Sequence, residues 1–419
     1  MRGNSPALLL IGRLGASGLA LVSAPIVARA IGPEGRGETA AAIALFALIP
    51  IVVGLGLPLE MRRVVAIDNS LASVRQARRL VLFSAILALP AALICWASIF
   101  QSFSYEARLA ASIGVALTPI TLSWICDTSV LVAVRDYRGI AILQLLQPAT
   151  YLLMVVALWA TETAATASVI GAYIASNAVS FVFGLIRVRP GKTGDARRAH
   201  ALAKGSISFA GGSLAEAASN RLDQVLSLPL LGATQAGLYS VAVTVGFAPL
   251  AIAQALGAAA FTSIARSEGR RRQRMINESI RQVASVSLIS SLALWLAGPI
   301  IVTILFGEAF AGADDAIRIT AWVCFVSSIA LQASSVLIAS GHRAKLTMSQ
   351  VAGLVLGIGS LILLGPIYGA SGAAWAALIS ATAMATLNVI FSGAAIHSVV
   401  PTPFALLAGV RTLARSRED

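Results

Sequence analysis

The sequence predicts an all-α polytopic membrane protein with about twelve transmembrane helices in two pseudo-symmetric six-helix lobes. Three observations point there. Of its 419 residues, 58% are hydrophobic and 12% charged, against about 25% charged in soluble domains, so a water-soluble fold of this length has too little polar surface to cover itself. The apolar residues gather into runs of about 20 or more, each able to cross a hydrocarbon core of about 30 Å as a helix. Basic residues alternate from loop to loop, as a fixed membrane orientation requires.

The runs fall near 7–30, 39–61, 80–100, 109–134, 140–160, 164–186, 205–231, 237–264, 282–305, 315–340, 346–365 and 370–397. They are Ala/Leu/Val blocks without the period-two alternation of a transmembrane barrel. With the N-terminus inside, the loops at 62–79, 135–139, 187–204, 265–281 and 341–345, together with both tails, hold most of the 31 Lys and Arg. The opposite loops hold Arg36 and Arg108 beside Glu34, Glu38, Glu106, Glu162, Glu308, Asp314 and Asp315. Both termini are therefore expected in the cytoplasm, with the chain in a plasma (inner) membrane. The net charge of +13 is then topological, and no nucleic-acid partner is implied. Arg270, Arg271, Arg272 and Arg274 read as an inside-retention signal rather than a headgroup site. The first run is too long for a cleaved signal peptide and reads as an uncleaved first helix.

Cys95, Cys126 and Cys324 lie within runs and lack metal-ligand spacing, so no disulfide framework, metal site or cofactor is expected. Loops are short, and no soluble domain is expected beside the bundle. The expected organisation is an N-terminal lobe at 1–190, a cytoplasmic linker at 191–204, a C-terminal lobe at 205–397 and a basic tail at 398–419.

An internal echo supports the two lobes. Ile31-Gly32-Pro33-Glu34-Gly35-Arg36-Gly37 lies at the first-to-second helix turn, and Leu231-Gly232-Ala233-Thr234-Gln235-Ala236-Gly237 lies at the seventh-to-eighth. Ser129–Ala133 is echoed by Ser335–Ala339 at equivalent points of the fourth and tenth spans. Two repeats of the same orientation place a substrate path at their interface in transporters. Gly353 and Gly357 form a G-x-x-x-G, which reads as helix packing.

Charge inside a span is costly, about 2.5–3.5 kcal/mol on insertion scales, and persists where it meets water or a partner. Span seven carries Glu216, Asn220, Arg221 and Asp223, of which Glu216, Asn220 and Asp223 share one helical face. This is a candidate cavity lining, the alternative being interhelical ion pairs. Arg13, within the cytoplasmic half of span one, is suited to an anionic group because guanidinium matches phosphate bidentately. Arg29 is a further cavity candidate, able also to snorkel outward. Asp127 and Arg318 read as structural pairs first. Glu60 with Arg62 and Arg63 reads as a solvated cluster.

Ala28-Arg29-Ala30-Ile31-Gly32-Pro33-Glu34-Gly35-Arg36-Gly37 resembles the "aR-x-LG-P-x-x-x-G" turn of bacterial polysaccharide transporters. These are O-antigen-type flippases of the multidrug/oligosaccharidyl-lipid/polysaccharide exporter superfamily. Asn220-Arg221-Leu222-Asp223, Leu231-Gly232 and Gly237-Leu238-Tyr239-Ser240-Val241-Ala242 resemble that family's "D…LG…GLYSVA" segment. The resemblance implies a V-shaped bundle that flips a polyprenyl-diphosphate-linked oligosaccharide from the cytoplasmic to the outer leaflet by alternating access. It implies that Arg13, Arg29 and Arg221 meet the diphosphate or acidic sugars, and that Asp127, Glu216 and Asp223 are candidates for coupling to H+ or Na+. Membrane lipids, a polysaccharide polymerase and other export components are the partners it suggests.

The nearest rival is an ion-coupled multidrug/cation antiporter of the same superfamily, which needs an acidic, aromatic-lined cavity. Aromatics are only 6% here, and cations are at least as frequent as acids within the spans. A membrane-embedded glycosyltransferase or ligase needs catalytic groups on a large outer loop, yet His200, His342 and His397 fall on the inner side. A non-transporting scaffold is a further reading. The chain is therefore expected to be a transporter and not an enzyme.

Overall fold

The computed structural model describes residues 7–68, 70–191, 199–402 and 405. Half of the expected linker, at 192–198, and the basic tail beyond 405 lie outside the described residues. The helices are α1 (Ala7–Gly54), α2 (Leu57–Asp68), α3 (Val74–Phe83), α4 (Ala85–Ala97), α5 (Tyr105–Ala116), α6 (Thr118–Ala133), α7 (Tyr137–Ala160) and α8 (Thr166–Arg187). They continue with α9 (Ala199–Leu231), α10 (Ala233–Gly246), α11 (Leu250–Ala265), α12 (Gly269–Phe306), α13 (Asp314–Ala339) and α14 (Arg343–Ser392). The described residues include no strand.

Each predicted run falls on helix. Among the described residues seven helical stretches are long and apolar enough to cross a membrane, and the bent pairs α5–α6 and α10–α11 bring the figure to nine. Two of those stretches, α1 and α14, each hold two predicted runs and break at a glycine, Gly32 (φ 70°, ψ −178°) and Gly369 (φ 56°, ψ −132°). The remaining run is α9, whose intramembrane charges dilute its apolarity. The chain is a multi-pass membrane protein.

At Gly369 the chain folds back on itself. In a straight helix Ser349 and Asn388 would stand about 58 Å apart at 1.5 Å per residue, yet the Ser349 hydroxyl donates to Asn388 Oδ1. Ser380 Oγ donates to the Gly353 carbonyl at 2.8 Å, and a Cβ on Gly372 would lie 2.7 Å from the Leu364 carbonyl carbon. In each pair one partner precedes the break by nearly as much as the other follows it, the signature of an antiparallel hairpin. Gly353 and Gly357 face Met384 and Ser380, so the G-x-x-x-G serves packing, as its spacing suggests. Asn388 is fully buried and also donates to Ser334 Oγ (2.9 Å) and the Ala330 carbonyl (3.3 Å) of α13. Asn388→Leu removes all three links, and an interhelical hydrogen bond in a membrane is worth about 0.6 kcal/mol. Thermal unfolding in detergent should show a loss of about 1–2 kcal/mol; unchanged melting would mean that apolar packing alone holds the hairpin.

The duplication is written in the backbone. Positive φ recurs at matched junctions: Gly32 (70°) and Gly232 (81°), Arg135 (56°) and Gly341 (75°), Glu162 (56°) and Gly369 (56°).

The helices form two compact units, Met1–Gly237 and Leu238–Asp419. In the first, Ala41, Leu45, Ile49 and Val53 follow one another at the i, i+4 spacing that puts them on one stripe of α1. That stripe packs with Phe100, Ala107, Ala111, Val115, Ile170, Val225 and Leu228. A second cluster joins Met61, Val64, Val74, Val81, Leu122, Val130 and Leu202 from α2, α3, α6 and α9. In the second unit Ile276, Ile280 and Ala284 of α12 pack on Ile329, Ala333 and Val336 of α13.

Several stretches read as loops are helical. Pro33 begins a new helical arm directly after Gly32, since proline suits the first helical position, so Arg36 and Glu38 lie within helix rather than in an outer loop. Glu60 is not solvated: it is 1% exposed. Gly205 has no side chain to keep α9 off it, and a Cβ there would sit 2.6 Å from the Glu60 carboxyl carbon.

Candidate functional site

Glycine sets the orientation of the first arm of α1. A Cβ on Gly12 would stand 2.7 Å from Gln144 Oε1 and one on Gly15 2.7 Å from Leu145 Cδ2, so α7 packs against that face. Successive residues turn by about 100°, which directs Arg13 away from α7, and its side chain is exposed. The exposed surface of the arm then divides. Arg13, Ser17 and Ala20 form one stripe, small and polar, while Leu14, Leu21 and Val22 form an apolar flank beside it.

On α9, Arg221 is exposed and Asp223 half-buried, while the side chains of Glu216 and Asn220 lie outside the described ones. Arg221 is within electrostatic reach of Tyr173 on α8. Lys204, Ser208 and Gly211 follow at i, i+4 and i+7 on another exposed, small and polar face of α9. Lys204 reads as a loop residue in sequence and stands on the helix instead. Arg29 is exposed at the far end of the first arm.

Asp127 is placed apart from these residues. Its side chain is 4% exposed and stands 3.6 Å from Nη2 of Arg78, itself 25% exposed. Arg78 Nη2 also donates to the Val188 carbonyl at the end of α8. Asp127 Oδ2 and Arg78 Nε have no hydrogen-bond partner, and both residues line a cavity of about 10 Å³ with Ser123 and Cys126. This is an interhelical pair tying α3, α6 and α8.

Polar side chains without a sequence signal complete the interior of the first unit. Trp124 Nε1 donates to Asn177 Oδ1 (3.1 Å), Asn177 Nδ2 to the Tyr173 carbonyl (3.0 Å) and Gln147 Nε2 to Ser176 Oγ (3.1 Å). Tyr173 stacks on Phe46 and meets Tyr151 edge-on, and Arg36 lies within electrostatic reach of Tyr151. At one end of the first unit, buried Glu38 accepts from the Ser104 amide at 3.3 Å, where the amide dipoles opening α5 favour a carboxylate. At the opposite end Arg63 donates to Glu60 through Nε (2.7 Å) and Nη2 (2.6 Å); this pairing holds the Arg63 guanidinium above its ordinary pKa.

In the second unit Arg318 lies 5.8 Å from the centre of the Trp295 ring, a cation–π partner rather than an acid. Arg272 of the basic run donates to Ser340 Oγ. Among the described residues no cluster of three or more His, Cys, Asp or Glu could hold a metal ion.

The fold is shared with solved membrane transporters. The structure of the lipid II flippase MurJ in an inward closed conformation superposes with a TM-score of 0.76 at 12% identity, covering 99% of this chain and 93% of that one. An inward-facing multidrug resistance MATE family transporter of the MOP superfamily gives 0.65 at 14% identity, covering 97% and 99%. The MATE multidrug transporter DinF-BH gives 0.63 at 13%, covering 94% and 96%. No curated protein matches the sequence. Residues 26–315 match the family described as polysaccharide biosynthesis protein, and the chain belongs to that family.

Proposed function

We propose that the chain is a flippase that carries a polyprenyl-diphosphate-linked oligosaccharide from the cytoplasmic to the outer leaflet by alternating access. The observation that supports this most is the exposed Arg13 on one stripe of α1 with Ser17 and Ala20, in a chain of the polysaccharide biosynthesis family. Arginine stays charged at any physiological pH and offers paired donors to a diphosphate. Arg29, Arg221 and Lys204 add positive charge on exposed faces of the same unit, which suits acidic sugars and disfavours a cationic drug. Asp223 and Glu216 are the proposed coupling acids for H+ or Na+, with Asp127 a weaker one because Arg78 already neutralises it. The repeats are proposed as 1–190 and 205–397, in the inner membrane with both termini cytoplasmic.

The reading is tested in cells depleted of the protein. Lipid-linked oligosaccharide should become inaccessible to an externally added glycosidase, and accessibility should return with the wild-type gene. Unaltered accessibility together with lost drug resistance would favour the multidrug antiporter.

Orientation is tested separately. A cysteine replacing Glu34, exposed beside the Gly32 turn, should react with an impermeant maleimide added outside. One replacing Arg270, exposed at the start of α12, should react only after the membrane is opened. Labelling of the second from outside would reverse the topology.

A further inference from the structure

Two arginine–carboxylate pairs in the first unit contain a buried acid, Glu60 and Asp127, and they are made differently. Arg63 grips Glu60 through the Nε–Nη2 edge of its guanidinium at 2.7 and 2.6 Å, the closed fork that these groups ordinarily form. Arg78 offers Asp127 only Nη2, which stands 3.6 Å from Oδ1, too far for a hydrogen bond. The other two members of the fork, Arg78 Nε and Asp127 Oδ2, are buried and have no hydrogen-bond partner among the described residues. This fork is open.

Both of its sides are held from α8. Arg78 Nη2 also donates to the Val188 carbonyl, which fixes the guanidinium. Asp127 Oδ2 lies against the bare backbone of Gly184, where a Cβ would stand 2.6 Å from it. The opening therefore belongs to the packing of α3, α6 and α8. It gives onto a cavity of about 10 Å³ whose walls include Ser123 and Cys126 of α6, Met61 of α2 and Ala77 of α3, about the space that one water molecule needs.

We infer that this cavity is a binding site for a single water molecule that completes the pair, accepting from Arg78 Nε and donating to Asp127 Oδ2. The sign of the partners selects the ligand. A cation would be repelled by the guanidinium and an anion by the carboxylate, whereas water answers the donor and the acceptor together. Ser123 adds a further hydrogen-bonding group to the same wall. Left dry, each of the two atoms would keep its desolvation cost uncompensated. Part of the tie between α3 and α6 thus runs through an exchangeable molecule as well as through side chains.

The test is X-ray radiolytic footprinting of the full-length protein in nanodiscs, in which a hydroxyl radical born from a bound water oxidises the sulfur beside it. Met61 and Cys126 are buried and line the cavity; Cys324 of the second unit is also buried and lines no part of it. Met61 and Cys126 should be oxidised and Cys324 spared. Oxidation of the first two no faster than that of Cys324 would mean a dry cavity and overturn the site. Two variants ask whether the pair holds the water. Arg78→Met combined with Asp127→Leu removes both polar partners, and Ala77→Val fills the space while leaving the pair in place. Each should abolish oxidation at Met61 and Cys126. Persisting oxidation in either variant, with cooperative melting retained, would show that the sulfurs meet bulk water, and the inference fails. Should the double variant not fold, Ala77→Val decides alone.

Discussion

Replacing Arg78 by alanine is expected to cost about 3 kcal/mol of stability, because it leaves the Asp127 carboxylate buried without its counter-charge. The figure sits at the low end of the range for broken buried pairs because Arg78 is itself 25% exposed. Arg78 also holds the Val188 carbonyl, so the loss should loosen the end of α8 as well. Asp127→Asn should cost less, since the amide removes the charge that needed neutralising. Removing both partners should cost less than the sum of the two single changes, the mark of a direct interaction. Thermal unfolding of the purified protein measures all of these. Melting of Arg78→Ala at the wild-type temperature would mean that the pair is screened and adds nothing. Loss of transport in Asp127→Asn with unchanged melting would instead return Asp127 to the coupling acids.

What could be read from the sequence divides along the range of the interaction concerned. Long apolar runs and the glycine-marked echo are local patterns, and they landed on helices and on matched positive-φ turns. The segment 31–38 misled because Gly and Pro read as a loop. Proline in fact starts the next arm one residue after the break, and this carries Arg36 and Glu38 into the bundle. Glu60 looked solvated because its neighbours Arg62 and Arg63 are charged. Its burial depends on Gly205, far along the chain, whose missing side chain admits the carboxylate. The pairing of Asp127 with Arg78 and the Trp124–Asn177–Tyr173 chain likewise join residues distant in sequence. Arg13 could be singled out from its depth in span one, but which way it points depends on Gly12 and Gly15 receiving α7.

Replacing Arg13 by alanine is expected to abolish export of lipid-linked sugar while the protein inserts and melts as the wild type does. Stability should hold because Arg13 is exposed and the face of α1 that packs on α7 is made by Gly12 and Gly15. Export should fail because a diphosphate leaving water needs donors that remain charged, and a guanidinium supplies two in one plane. Lysine keeps the charge and loses the fork, so Arg13→Lys should recover only part of the rate. The split between the two substitutions separates field from geometry: equal activity of Lys and Arg would mean that charge alone attracts the cargo. Ser17→Leu supplies the converse test, for it extends the apolar flank of Leu14 and Leu21 across the polar stripe without touching the charge. It should lower export through the same face, with melting unchanged. Normal export by Arg13→Ala would remove α1 from the substrate path and leave Arg221 and Lys204 on α9 as the cations to test next.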